Sequence, residues 1–148
     1  MGNTILFIGH EASRTGAPGL LLNLFRWLKA NSALDLRLLL LAGGERLDEF
    51  RSLAPTICLD DCPWHSHSLR SRLLSRTQLS HLPIQRRRAW LQSRLDFSPD
   101  LIYANTAAAG EAFDLLPAAK CPVIAHIHEM QYILQQYLPQ QMALLKQH

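Results

Sequence analysis

Residues 5–22, ILFIGHEASRTGAPGLLL, constrain the fold more than any other stretch, because they pass from a buried-strand pattern through a loop of small residues into a helix pattern. Ile5, Leu6, Phe7 and Ile8 form an apolar run too short for a free-standing helix and closed by Gly9. Such a run suits a parallel strand covered on both faces. Beyond Pro18 the spacing becomes helical: Leu20, Leu21, Leu24, Phe25 and Leu28 fall on one stripe, and Pro18 sits where a first helical residue needs no backbone N–H. Gly16 and Ala17 therefore lie at a helix N-terminus. Free amides and the positive end of the helix dipole favour an anion there, and Gly16 lets a phosphate approach the backbone. A plain loop accounts for the same residues, since neither the G-x-G-x-x-G nor the Walker pattern is present.

The alternation continues along the chain. Residues 36–42 form a second leucine-rich strand ended by Gly43 and Gly44, and Leu47, Phe50 and Leu53 mark a short amphipathic helix with Glu45, Asp48 and Glu49 outside. Pro55 opens a brief strand, residues 56–59, whose shortness suits a sheet edge. Residues 60–83 read as a loop holding a helix near 69–74, and a further helix covers 84–95. Leu101, Ile102 and Tyr103 make the next strand, after which Asn105 and Thr106 are expected to cap a helix carrying Ala107, Ala108, Ala112, Phe113 and Leu116. Residues 123–127 read as another buried strand, and residues 130–146 as helix broken at Pro139. Strands and helices in this order predict an α/β, Rossmann-like, doubly wound parallel sheet with strand order 3-2-1-4-5 and helices on both faces. Ligands of such sheets bind beyond the carboxyl ends of the strands, here between the first and fourth. Segments 10–17, 105–111 and 126–129 converge at that point.

A chain of 148 residues, 48% hydrophobic, has the size and core of a single domain spanning 1–148. Its longest apolar runs fall far short of a membrane span, and no basic region followed by a hydrophobic segment opens the chain, so the cytoplasm is expected. Cys58, Cys62 and Cys121 are odd in number and irregularly spaced, which argues for reduced thiols. The net charge of +3 is uneven, because residues 63–95 hold Arg70, Arg72, Arg76, Arg86, Arg87, Arg88 and Arg94 and no acid. This strip is either a solvated helix face or a surface for an anionic membrane or a phosphorylated ligand. Nucleic acid is disfavoured by the lack of an interleaved aromatic ladder.

His126 and His128 share a face of their strand, and Glu129 follows where the backbone leaves the sheet. His126 lies further in and reads as a core histidine, whereas His128 sits at the mouth, within reach of a substrate hydroxyl or phosphate. His10 and Glu11 face the same crevice. No spacing among these residues demands a metal. The C-x3-C-x2-H-x-H run of Cys58, Cys62, His65 and His67 has zinc-type donors, but its spacing fits no standard knuckle, and buried cysteines with surface histidines explain it equally.

Four stretches together resemble a known family: residues 5–22, then LLLLAGGERLDEFRSLAP at 38–55, PDLIYANTAAAGE at 99–111 and PVIAHIHEM at 122–130. They look like the N-terminal, acceptor-binding domain of the retaining family 4 glycosyltransferases, which have two Rossmann domains in the GT-B fold. The resemblance implies transfer of a sugar from a nucleotide-sugar co-substrate, with no further cofactor, to a glycan, lipid or small acceptor. It implies that Gly16 and Ala17 contact the donor diphosphate or the acceptor, that His128 lies beside the transferred sugar, and that Asn105, Thr106 and Glu111 line the acceptor side. The family's second, donor-binding domain and the last strands of its first are absent from these 148 residues. The domain alone is therefore expected to be inactive, and its exposed last strand to pair two copies into a dimer. The alternative is a stand-alone α/β module that binds a phosphorylated ligand through Gly16 and the arginine strip.

Overall fold

Short apolar runs bounded by glycine, proline or acidic residues become the strands of one sheet. The computed structural model describes residues 3–64, 82–118, 120–136 and 138–147. The strands are β1 (Thr4–Gly9), β2 (Asp35–Leu40), β3 (Thr56–Cys58), β4 (Leu101–Asn105) and β5 (Val123–His126). All pair in parallel in the order β3-β2-β1-β4-β5, the doubly wound order expected from the sequence. The helices are α1 (Gly16–Asn31), α2 (Leu47–Leu53), α3 (Leu82–Gln92), α4 (Gln131–Gln136) and α5 (Pro139–Leu145), with 3-10 turns at Leu59–Asp61 and Ala107–Asp114. The helix expected near residues 69–74 lies outside the described residues. No described helix is long and apolar enough to cross a membrane.

Side-chain alternation along β1 divides the core into two layers. Phe7 joins Leu38 and Leu40 under Leu21, Leu22 and Phe25 of α1 and Phe50 of α2. Leu6 and Ile8 face the other way, with Leu39, Ile102 and Ala104, against Leu91 of α3, Phe113 and Leu145 of α5. Phe7 and Phe25 meet edge to face at 4.6 Å, and Phe25 is fully buried. Truncating such a ring to alanine costs about 3–5 kcal/mol. Leu20 departs from the expected apolar stripe: it is exposed on α1, and Pro18, Leu21, Leu22 and Phe25 form the buried face. Pro18 is the third helical residue and not the first, a position that also lacks an intrahelical acceptor for an N–H.

Two expectations fail in the second half of the sheet. The segment after β4 is a 3-10 helix with Thr106 before it, and neither Asn105 nor Thr106 caps it through a side chain, because Asn105 is the last residue of the strand. Strand β5 is not buried: Ile124 is 47% exposed, and Ala125 and His126 are also exposed. Among the described residues β5 pairs with β4 alone, so an apolar V-I-A sequence occupies an edge.

Candidate functional site

Pairing brings Gly9, Leu40, Asn105 and His126 level at the carboxyl end of the sheet. Above this row the β1–α1 loop is strapped to the β2–α2 loop. Ala42 N–H donates to the His10 carbonyl at 2.9 Å, Ala12 N–H to the Gly43 carbonyl at 3.2 Å, and Arg46 N–H to the Ala12 carbonyl at 2.8 Å. Gly44 makes this contact possible. Its φ is +153°, and a Cβ there would stand 2.4 Å from the Ala12 carbonyl carbon. Within the loop, Ser13 Oγ donates to Glu11 Oε1 and shares a 2.9 Å hydrogen bond with Thr15 Oγ1. Thr15 precedes α1 in an extended conformation without a side-chain cap, and no acidic residue stands in the first turn. No acid of the first turn faces the positive end of α1, and the nearest carboxylates are those of Glu11 and Glu129 across the crevice it opens on.

That end faces a crevice of about 160 Å³ lined by Thr15, Ala17, Asn105, Thr106 and Glu129, with His10 and Glu11 completing it. Hollows of 410 Å³ and 340 Å³ open elsewhere, beside Pro99 and Cys121 and beside Pro55 and Phe97, at the amino ends of the strands, and one of 460 Å³ lies beside Glu111 and Gln140, away from the strand ends. Ligands of parallel sheets bind at the opposite ends, so the smaller crevice is the functional candidate.

Thr106 is the most constrained residue in it. Its φ is +108°, the sole positive value at a non-glycine among the described residues. A β-branched residue there costs about 1–3 kcal/mol of strain. Three hydrogen bonds hold it. Thr106 N–H donates to the His126 carbonyl at 2.9 Å, Ala107 N–H donates to Glu129 Oε1 at 3.0 Å, and Glu129 Oε2 accepts the His128 N–H at 3.0 Å. Glu129 is thereby a clamp between the ends of β4 and β5. Thr106 is only 7% exposed, and its Oγ1 has no hydrogen-bond partner among the described residues.

His128 reaches the crevice through Asn105. Its Nε2 lies 3.0 Å from Asn105 Oδ1, and Asn105 Nδ2 donates to the Ala17 carbonyl at 3.2 Å. His126, expected in the core, is exposed beside it. Its ring centroid is 3.9 Å from that of His128 and its Nδ1 hydrogen-bonds the Tyr103 hydroxyl. Burial pushes the Tyr103 phenol above its ordinary range. Gly16 is exposed, with nothing within 4 Å of where a Cβ would be.

The structure therefore gathers His10, Glu11, Ala17, Asn105, Thr106 and Glu129, with Gly16 and His128 adjoining. Glu111 stands apart, on the far layer beside Gln140 and Gln141, with its carboxylate 3.9 Å from Arg87. Thr15, Tyr103 and Gly44 were not singled out from the sequence for the site. Only the Gly43-Gly44 pair carried a local signal.

No protein family matches the chain, nor does any curated protein or solved structure. Two other sequence features take physical form. Arg86 stacks over Trp64 and Arg94 over Trp90, each at 4.0 Å, while Arg88 donates to the Asp114 carbonyl at 2.6 Å. Arg70, Arg72 and Arg76 lie outside the described residues. Cys58 and Cys62 are buried free thiols, and burial pushes the Cys58 thiol up. His65 and His67 lie outside the described residues, among which no group of three or more metal donors occurs.

Proposed function

We propose that this chain is the acceptor-binding domain of a glycosyltransferase that moves a sugar from a nucleotide-sugar to a glycan, lipid or small acceptor. The observation that carries the site assignment is the pairing of an uncapped α1 N-terminus with the orphaned Thr106 hydroxyl in one crevice. Helix amides and a buried hydroxyl donor are complementary to phosphate oxygens, and such donors already aimed at a departing diphosphate stabilise the charge it gains. The sugar-transfer part rests on the resemblance of residues 5–22, 38–55, 99–111 and 122–130. His128, next to the crevice, supplies a polar contact to the transferred sugar, and a second Rossmann domain would hold the rest of the donor. Association with an anionic membrane through Arg86 of α3 and Arg94 just beyond it accords with a lipid acceptor.

Titration with a panel of nucleotide-sugars and with inorganic phosphate, followed by amide NMR, tests the site. Shifts concentrated at Gly16, Ala17 and Thr106 are expected, and shifts elsewhere or none would refute it. Incubation of the chain and its donor domain with the same panel and glycan or lipid acceptors tests the reaction. Binding without transfer across the panel would favour a module that recognises a phosphorylated ligand.

A further inference from the structure

We infer that Asn105 is a positioning residue that fixes the tautomer of His128, keeping the proton on Nε2 and presenting the Nδ1 lone pair. A carbonyl oxygen only accepts, so the Asn105 atom 3.2 Å from the Ala17 carbonyl oxygen must be the amide nitrogen. Oδ1 is then the atom 3.0 Å from His128 Nε2. Oδ1 also only accepts, so Nε2 must carry a hydrogen. In the neutral ring Nδ1 is therefore unprotonated.

The alternative orientation is expensive. Turning the Asn105 amide over sets oxygen against the Ala17 carbonyl, in a residue 3% exposed with little access to water. Its backbone has no freedom to compensate, because Asn105 ends β4 in register with both Gly9 and His126. The relay Ala17–Asn105–His128 thus ties the ring to the second residue of α1. The ring is left with an acceptor at Nδ1, which suits a partner that brings its own proton, and for the proposed reaction that means a sugar or acceptor hydroxyl. That last step rests on the proposed function; the tautomer does not.

Long-range nitrogen–proton NMR of the histidine-labelled chain, without substrate and in the neutral range of the ring, tests the inference. His128 is expected to show a pyrrole-type Nε2 and a pyridine-type Nδ1 as a single tautomer. Asn105→Leu, which removes the acceptor, should convert it to a mixture. A wild-type His128 that is mixed or protonated on Nδ1 overturns the inference, whether or not the variant folds. Retention of the single tautomer in a folded Asn105→Leu variant would also overturn it. Absence of sugar transfer would count against the proposed function and leave the tautomer standing, whereas a wrong tautomer would leave phosphate binding at Thr106 untouched.

Discussion

Thr106→Val separates the demands of folding from those of binding at a single atom. Valine matches threonine in shape and branching, so the strain at φ +108° is unchanged and the substitution exchanges a hydroxyl for a methyl. That hydroxyl is buried without a partner among the described residues. Burial of an unpaired hydroxyl costs about 1–3 kcal/mol on protein-based scales. Relief of about 1–2 kcal/mol is expected in the ligand-free protein, and in a domain of this size each kcal/mol moves the melting midpoint by about 2–4 °C. Calorimetry should therefore show Thr106→Val melting about 2–8 °C above wild type. Ligand narrows the gap. Phosphate or nucleotide-sugar at ten times its Kd should stabilise wild type by about 1.4 kcal/mol, and the variant by much less, because the donor is gone. A variant that melts several degrees below wild type would show that the hydroxyl is already satisfied in the free protein. Equal ligand stabilisation of the two proteins would remove Thr106 from the site.

Gly44→Ala should destabilise by about 3 kcal/mol or more, since positive-φ strain of about 1–3 kcal/mol adds to overpacking of similar size against backbone that cannot rotate away. Chemical denaturation reads the loss, and amide shifts at Ala12 and Ser13 should accompany it. For His128→Ala, unchanged melting but reduced turnover in the presence of the donor domain is expected, read from kcat and KM with thermal unfolding as control. His126→Ala should alter melting little, because the ring is exposed; a large loss would restore its core role. Vesicle flotation should recover the chain with anionic but not neutral lipid at low salt, and combined Arg86→Ala and Arg94→Ala should weaken recovery at a cost of about 1 kcal/mol per arginine near the surface. Equal recovery on both lipids would exclude that surface.

The sheet was legible because central parallel strands advertise themselves locally. Residues 5–8 and 38–41 are apolar without alternation, and Gly9 and Gly43 mark where they stop. The convergence of His10, Glu11, Asn105, Thr106 and Glu129 followed from topology, as strand order alone dictates which loops share an end of the sheet. What sequence did not reveal depends on contacts between distant segments. Glu129 looks like a free carboxylate until its two backbone donors, at Ala107 and His128, are in place. The positive φ of Thr106 is enforced by β5, not by threonine's own preference. Glu111 was assigned to the acceptor side, but the 3-10 path of Ala107–Asp114 sets it on the other layer, by Arg87. β5 misled for a different reason, since Val123, Ile124 and Ala125 have the composition of an interior strand and an edge position leaves no mark on composition.

The position of β1 at the centre of the sheet also sets when the sheet can be completed during synthesis. Its partner on one side, β2, follows after a single helix, but its other partner is β4, so Ile5 waits for Leu101. At about 5–20 residues per second, a ribosome takes roughly 5–20 s to synthesise the intervening stretch. Throughout that interval one edge of Ile5, Leu6, Phe7 and Ile8 has no neighbour to pair with. Synonymous changes that slow translation between β1 and β4 would lengthen the time that edge stays unpaired without altering one residue of the finished protein.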